Sequence, residues 1–178
     1  MYDLGNQFHM DLSKLKSSDK VILKGEKYRF TILSERLIRL EYSDTGTFND
    51  FATSLVNNRV FSIPKFEVRE DSNFLEITTS YFKLEYIKNT KFKAGKISPD
   101  KNLKVKMLFS NEVWYYSHPE AKNFYGSSYE LGPVKEEVAN KGIYSYEGFV
   151  SIDDSNTYRI NANGTLAGDS KVPFAFIL

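Results

Sequence analysis

The sequence predicts an all-β fold, an antiparallel β-sandwich, and three observations carry that prediction. Apolar and polar residues alternate along one short segment after another, turn-forming residues separate these segments at hairpin spacing, and no stretch shows the 3.6-residue period of a long helix. Aromatic residues make up 15% of the 178 residues, which suits strands that pack rings on one face.

In chain order, a Gly25-Glu26 turn precedes Tyr28, Phe30 and Ile32, which alternate with Arg29 and Thr31. Past Ser34-Glu35, Ile38, Leu40 and Tyr42 alternate with Arg39 and Glu41. Phe66 and Val68 flank Glu67 ahead of an Asp71-Ser72-Asn73 turn. Phe82, Leu84 and Tyr86 then interleave with Lys83 and Glu85, and Leu103, Val105 and Met107 with Lys104 and Lys106. Because the alternate positions are charged, each strand is expected to bury one face and wet the other. The polar, basic stretch from Lys88 to Asn102, broken by Gly95 and Pro99, reads as a loop within one domain. In Val113-Trp114-Tyr115-Tyr116, Trp114 and Tyr116 share a face, and core packing explains them more simply than a stacking platform for sugar. Pro133 to Asn140 predicts one short helix with proline in its first turn. Asn163-Gly164 predicts a two-residue hairpin of type I′, whose positive φ angles suit that pair. The apolar end PFAFIL predicts either a final strand or a surface covered by a continuation of the chain.

Composition then narrows the function. Twenty-four basic and 23 acidic residues, interspersed, give a formal net charge of +1, so there is no electrostatic footprint for nucleic acid or for an anionic membrane. The absence of cysteine excludes disulfides and thiolate chemistry and favours an intracellular, cytoplasmic setting. The first twenty residues lack the features of a signal peptide, and no apolar run approaches membrane-spanning length, so a soluble chain is expected.

Catalytic motifs are scarce. The two histidines, His9 and His118, lie in no HExxH-like spacing, no G-x-S-x-G elbow surrounds Ser127 or Ser128, and the ten glycines form no phosphate loop. No metal, cofactor or catalytic residue is therefore assigned. Two adjacent carboxylate pairs remain, Glu136-Glu137 and Asp153-Asp154. Glycoside hydrolysis needs two carboxyl groups held about 5 to 9.5 Å apart across the scissile bond. Neighbours in an extended strand point to opposite faces, so neither pair forms that couple by itself. Solvated charge accounts for the glutamates, and turn chemistry for Asp153-Asp154-Ser155.

The segment Lys141 to Ser155, KGIYSYEGFVSIDDS, resembles the approach to the barrel in the amino-terminal domain of glycoside hydrolase family 31, the α-glucosidase and α-xylosidase family. The family wording is a glycine with small apolar residues, Ser-Arg-Asp-Gly-Trp, apolar residues, then Asp-Asp-Ser. Gly142, Ser145, Gly148, Asp153, Asp154 and Ser155 match it, whereas Tyr146, Glu147 and Phe149 replace the usual Arg, Asp and Trp. Upstream, Asn123, Gly126 and Leu131 match a second family stretch that here lacks its arginine. Earlier strands, among them LIRLEY at Leu37 to Tyr42 and FKLEYIK from Phe82, agree in order and kind. The resemblance spans roughly residues 20 to 168.

It implies a galactose-mutarotase-like sandwich over residues 1–178 as a single amino-terminal domain, followed beyond Leu178 by a (β/α)₈ barrel that carries the nucleophile and the acid/base. The domain's partners would be its own barrel and the oligo- or disaccharide bound there. The stretch Tyr129 to Asn140 and the Asp153-Asp154 turn are the candidates for a loop at the rim of the sugar pocket, with Asp153 and Asp154 as the substrate-binding candidates. Two other readings stay open: an aldose epimerase using His118 and Glu130, and a carbohydrate-binding sandwich without chemistry.

Overall fold

The computed structural model describes residues 10–48, 50–93, 102–116, 118, 145–155, 157–167 and 175–177. The predicted Pro133 to Asn140 helix, the Tyr129 to Asn140 stretch, Glu130 and Glu136-Glu137 lie outside them. Among the described residues ten strands form two five-stranded sheets, and the helical content is two single-turn 3₁₀ helices, Leu12–Lys14 and Asp19–Val21. The protein is thus all-β, with the two antiparallel sheets that a sandwich requires. The chain divides into two compact units, Met1–Pro64 with Asp153–Ile177 and Lys65–Ile152.

The first unit holds β1 (Ile22–Lys24), β2 (Tyr28–Ser34), β3 (Leu37–Tyr42), β9 (Ile152–Asp153, shared with the other unit at its first residue) and β10 (Ala175–Ile177), in the order β1-β2-β3-β10-β9. The apolar end of the chain thus supplies a strand, antiparallel to β3 with Phe176 opposite Leu40. In β2 and β3 the register sets Phe30 opposite Leu40 and Ile32 opposite Ile38 on one face, with Arg29 opposite Glu41 and Thr31 opposite Arg39 on the other. The apolar face is core, as alternation predicts.

The expectation of a wet opposite face fails here. Arg29, Thr31, Arg39 and Glu41 are all buried, and the segment around Ala52 and Thr53 and the segment around Asp154 and Ile160 reach this face through Asp154, which bonds both Arg39 and Thr53. These two segments join by the Ser54 N–H to Tyr158 carbonyl bond and the Ile160 N–H to Ala52 carbonyl bond, at 2.8 and 2.9 Å. Leu15, Ala52 and Ile160 make a small apolar cluster beside them.

The second unit holds β4 (Glu67–Glu70), β5 (Phe74–Thr78), β6 (Phe82–Ile87), β7 (Leu103–Met107) and β8 (Val113–Tyr115), paired in sequence order. Here alternation works as predicted. Ile77, Leu84, Val105 and Trp114 align across four strands and are buried, which assigns Trp114 to the core. On the other face Glu76 stands opposite Glu85, and Lys83 offsets that repulsion by reaching Glu76 at 2.7 Å and Glu85 at 3.7 Å, while Lys104 also pairs with Glu85. The strand β4, at the edge of this sheet among the described residues, departs from expectation: all four of its residues are exposed, Val68 included.

β7 pairs antiparallel with β6, and of the polar stretch between them residues 88–93 and 102 are described. There buried Asn102 donates to the Thr90 hydroxyl and the Lys91 carbonyl and accepts from the Lys93 N–H at 2.9 Å. Asn163-Gly164 turns the chain but not as type I′. The bridge between Ile160 and Leu166 encloses five residues, and of the central pair only Gly164 has positive φ, at 84°. Asn163 instead accepts bonds from the Thr165 N–H and hydroxyl, a wider loop held by side-chain chemistry.

Candidate functional site

The Asp153-Asp154-Ser155 corner follows directly from β9. Neighbouring residues on extended chain point to opposite sides, so one aspartate turns outward and the other inward. Asp153 is exposed and its Oδ1 accepts the Ser155 N–H at 2.9 Å, the side-chain turn expected of Asp at this position. Asp154 has no exposed surface. Its Oδ2 takes a bond from Arg39 Nη1 at 2.5 Å, its Oδ1 takes one from the Thr53 hydroxyl at 2.8 Å, and the Thr157 hydroxyl also donates to Oδ1. Both oxygens of Asp154 are thereby engaged within the protein, and Asp153 is the member whose side chain faces solvent.

Asp154 belongs to a buried network of charge. Arg39 Nε lies 3.5 Å from Glu41, which in turn receives two bonds from Arg29, Nε at 2.7 Å and Nη2 at 2.9 Å. This is the fork geometry that suits a planar guanidinium to a carboxylate. Arg29 Nη1 continues to half-exposed Asp50 at 2.5 Å, and its guanidinium sits 5.1 Å from the centre of the Phe48 ring. Burial works against the charge on Arg29, but hydrogen bonds and Coulomb attraction from Glu41 and Asp50 more than offset it and raise its pKa. Arg59, also buried, goes the other way: burial first and repulsion by Arg39 second push its pKa down to about 9. Desolvating each ion costs several kcal/mol, so the network stands only because nearly every member is paired.

Sequence reasoning missed this assembly, although its members were visible as the polar halves of two alternating strands. The signal was chemical: Arg and Glu, rather than the Lys and Glu of the second sheet, occupy that face. Arginine is the residue suited to buried, bidentate pairing.

In the second unit His118 sits between rings, with the Tyr115 centroid 4.3 Å away and Phe149 edge-on at 5.5 Å. Its Nε2 faces Glu147 Oε2 at 3.5 Å. An epimerase needs its acid and base on either side of a sugar ring. This pair is too close to admit one, and Glu130 is not among the described residues. Glu147 and Gly148 lie in a tight turn closed by the Gly148 N–H to Ser145 carbonyl bond, and Gly148 takes φ 84°. Among the described residues no group of His, Asp and Glu has the arrangement of a metal site, and no helix is long and apolar enough to cross a membrane.

Compared with known proteins, the chain matches no family model, and no curated protein matches it.

Proposed function

We propose that this chain is the amino-terminal, galactose-mutarotase-like domain of a family 31 retaining α-glycosidase, a cytoplasmic enzyme of carbohydrate metabolism whose hydrolytic aspartates lie on a barrel following Leu178. One observation supports the reading above others. Two segments that resemble the family independently, LIRLEY and the Asp-Asp-Ser corner, lie 115 residues apart and meet through the buried Arg39–Asp154 pair. A motif aspartate whose work is to anchor the corner explains why that residue type is required there without any catalytic duty. Gly148, another matched motif position, holds a left-handed backbone that favours glycine.

In this reading the corner does two jobs. Asp154 fixes it to the first sheet, and Asp153 projects to the rim of the barrel's sugar pocket, where it accepts hydrogen bonds from hydroxyls of an oligo- or disaccharide. A shielded, charge-assisted bond of that kind contributes about 1.5 to 3 kcal/mol. The isolated chain does no hydrolysis and holds too little of the pocket to retain a sugar. Calorimetric titration of the chain with maltose and with an α-xyloside tests this: no binding heat is expected up to millimolar sugar. Saturable binding by the chain alone would replace the proposal with a carbohydrate-binding sandwich.

A further inference from the structure

At β4 the second sheet ends, among the described residues, in an open strand. The Asp71 N–H bonds the Phe74 carbonyl at 2.9 Å, so these two residues form a bonded pair next to the β4–β5 ladder. Bonded and non-bonded pairs alternate along antiparallel strands, which turns the backbone of Glu67 and Arg69 towards β5 and that of Val68 and Glu70 away from it. The outward N–H and C=O groups of Val68 and Glu70 meet no other backbone among the described residues. Val68 supplies a second, independent sign. It stands beside buried Ile77 on the apolar face of the sheet, yet it is 38% exposed, surface that one further strand would cover.

This edge is complementary to itself in one register. Two identical antiparallel strands are related by a two-fold axis, and with the axis at Val68 each copy of that residue exchanges both outward bonds with the other. Glu67 of each chain then lies opposite Arg69 of the other, and Lys65 opposite Asp71. These opposite-charge pairs fall at the non-bonded positions, where side chains approach most closely. Moving the axis to Glu67 sets Glu67 against itself and Lys65 against Arg69, and moving it to Arg69 sets Arg69 against itself and Glu67 against Asp71. With the axis at Phe66, Val68 meets Pro64, which has no N–H to give; with the axis at Glu70, that glutamate meets itself. The charges that turn away other pairings therefore admit this one.

We propose that β4 pairs antiparallel with β4 of a second copy of this chain, across a two-fold axis at Val68, so that two five-stranded sheets run on as one. The interface is one strand wide, which places the dimer in the weak, transient class. It uses Lys65 to Asp71 of the second unit alone and does not depend on the glycosidase reading.

Sedimentation equilibrium of the chain tests this, with the mass expected to rise from one chain towards two between about 10 μM and about 1 mM. Glu67→Arg and Arg69→Glu each turn the attractive pairs at the axis repulsive and should each raise the Kd about tenfold. An equimolar mixture of the two variants restores opposite charges and should recover the Kd of the parent chain. The absence of cysteine allows a second measurement of the register. Val68→Cys should form a disulfide-linked dimer on oxidation, since bonded partners stand about 5.5 Å apart at Cα, and Glu70→Cys, four residues from its own copy in this register, should not. A single-chain mass at every concentration would give the edge to another segment or another protein and overturn the proposal. So would a mixture no tighter than either variant alone, or cross-linking through Glu70→Cys as readily as through Val68→Cys.

Discussion

At the scale of single residues, the two adjacent aspartates divide the work of the corner by burial. Asp154 is enclosed with Arg39, Thr53 and Thr157, so neutralising it leaves a buried guanidinium without its counter-charge. Asp154→Asn is expected to destabilise the chain by about 3 kcal/mol in urea unfolding. Asp153→Asn keeps the side-chain oxygen that accepts from Ser155 and sits in solvent, so its effect should stay within about 0.5 kcal/mol. Arg59 gives a pH signature. Its folded pKa, about 9, lies below that of the unfolded chain, so its burial penalty is fully present below pH 9. Above that pH the unfolded state binds more protons than the folded one, and the penalty fades as pH rises towards the ordinary arginine value. The stability difference between the parent chain and Arg59→Met should therefore be constant up to about pH 9 and move in the parent's favour above it, read from urea unfolding at a series of pH values. A difference that moves against the parent above pH 9 would reverse the sign of this account.

At the scale of elements, the Ser145 to Phe149 turn depends on Gly148. Its φ of 84° is a conformation that L side chains rarely adopt, and an added Cβ would lie 2.9 Å from the Phe109 ring. Gly148→Ala should destabilise by about 1 to 2 kcal/mol, read from the same unfolding curves. Much at this scale was legible in the sequence. The strands β2, β3, β6 and β7 lie where alternation put them, since period-2 patterning is set by one buried face. What it did not disclose was the fate of the other face. Arg29, Arg39 and Glu41 read as solvent-facing because burial of a charge depends on partners such as Asp154, more than a hundred residues distant. Val68 erred in the opposite direction: alternation marked it as core, yet β4 is an edge strand exposed along its length. The Asn163-Gly164 turn differed because Asn163 found Thr165 as a hydrogen-bond donor and had no need of positive φ. Of the site, Asp153 and Asp154 were legible as a turn from their spacing, while their split into outward and inward members needed the fold.

At the scale of the whole molecule, two antiparallel sheets carry apolar cores, and the first adds a buried ionic layer that joins strands to loops far apart in the chain. That layer gives the Asp-Asp-Ser corner a fixed seat, with Asp153 on its exposed side. The glycosidase reading asks for a surface beyond this chain to receive it. The most direct measurement is the sequence of the encoding transcript past Leu178. The account predicts an open frame running into a (β/α)₈ barrel with a Trp-x-Asp-Met-Asn strand end; a stop codon directly after Leu178 would contradict it.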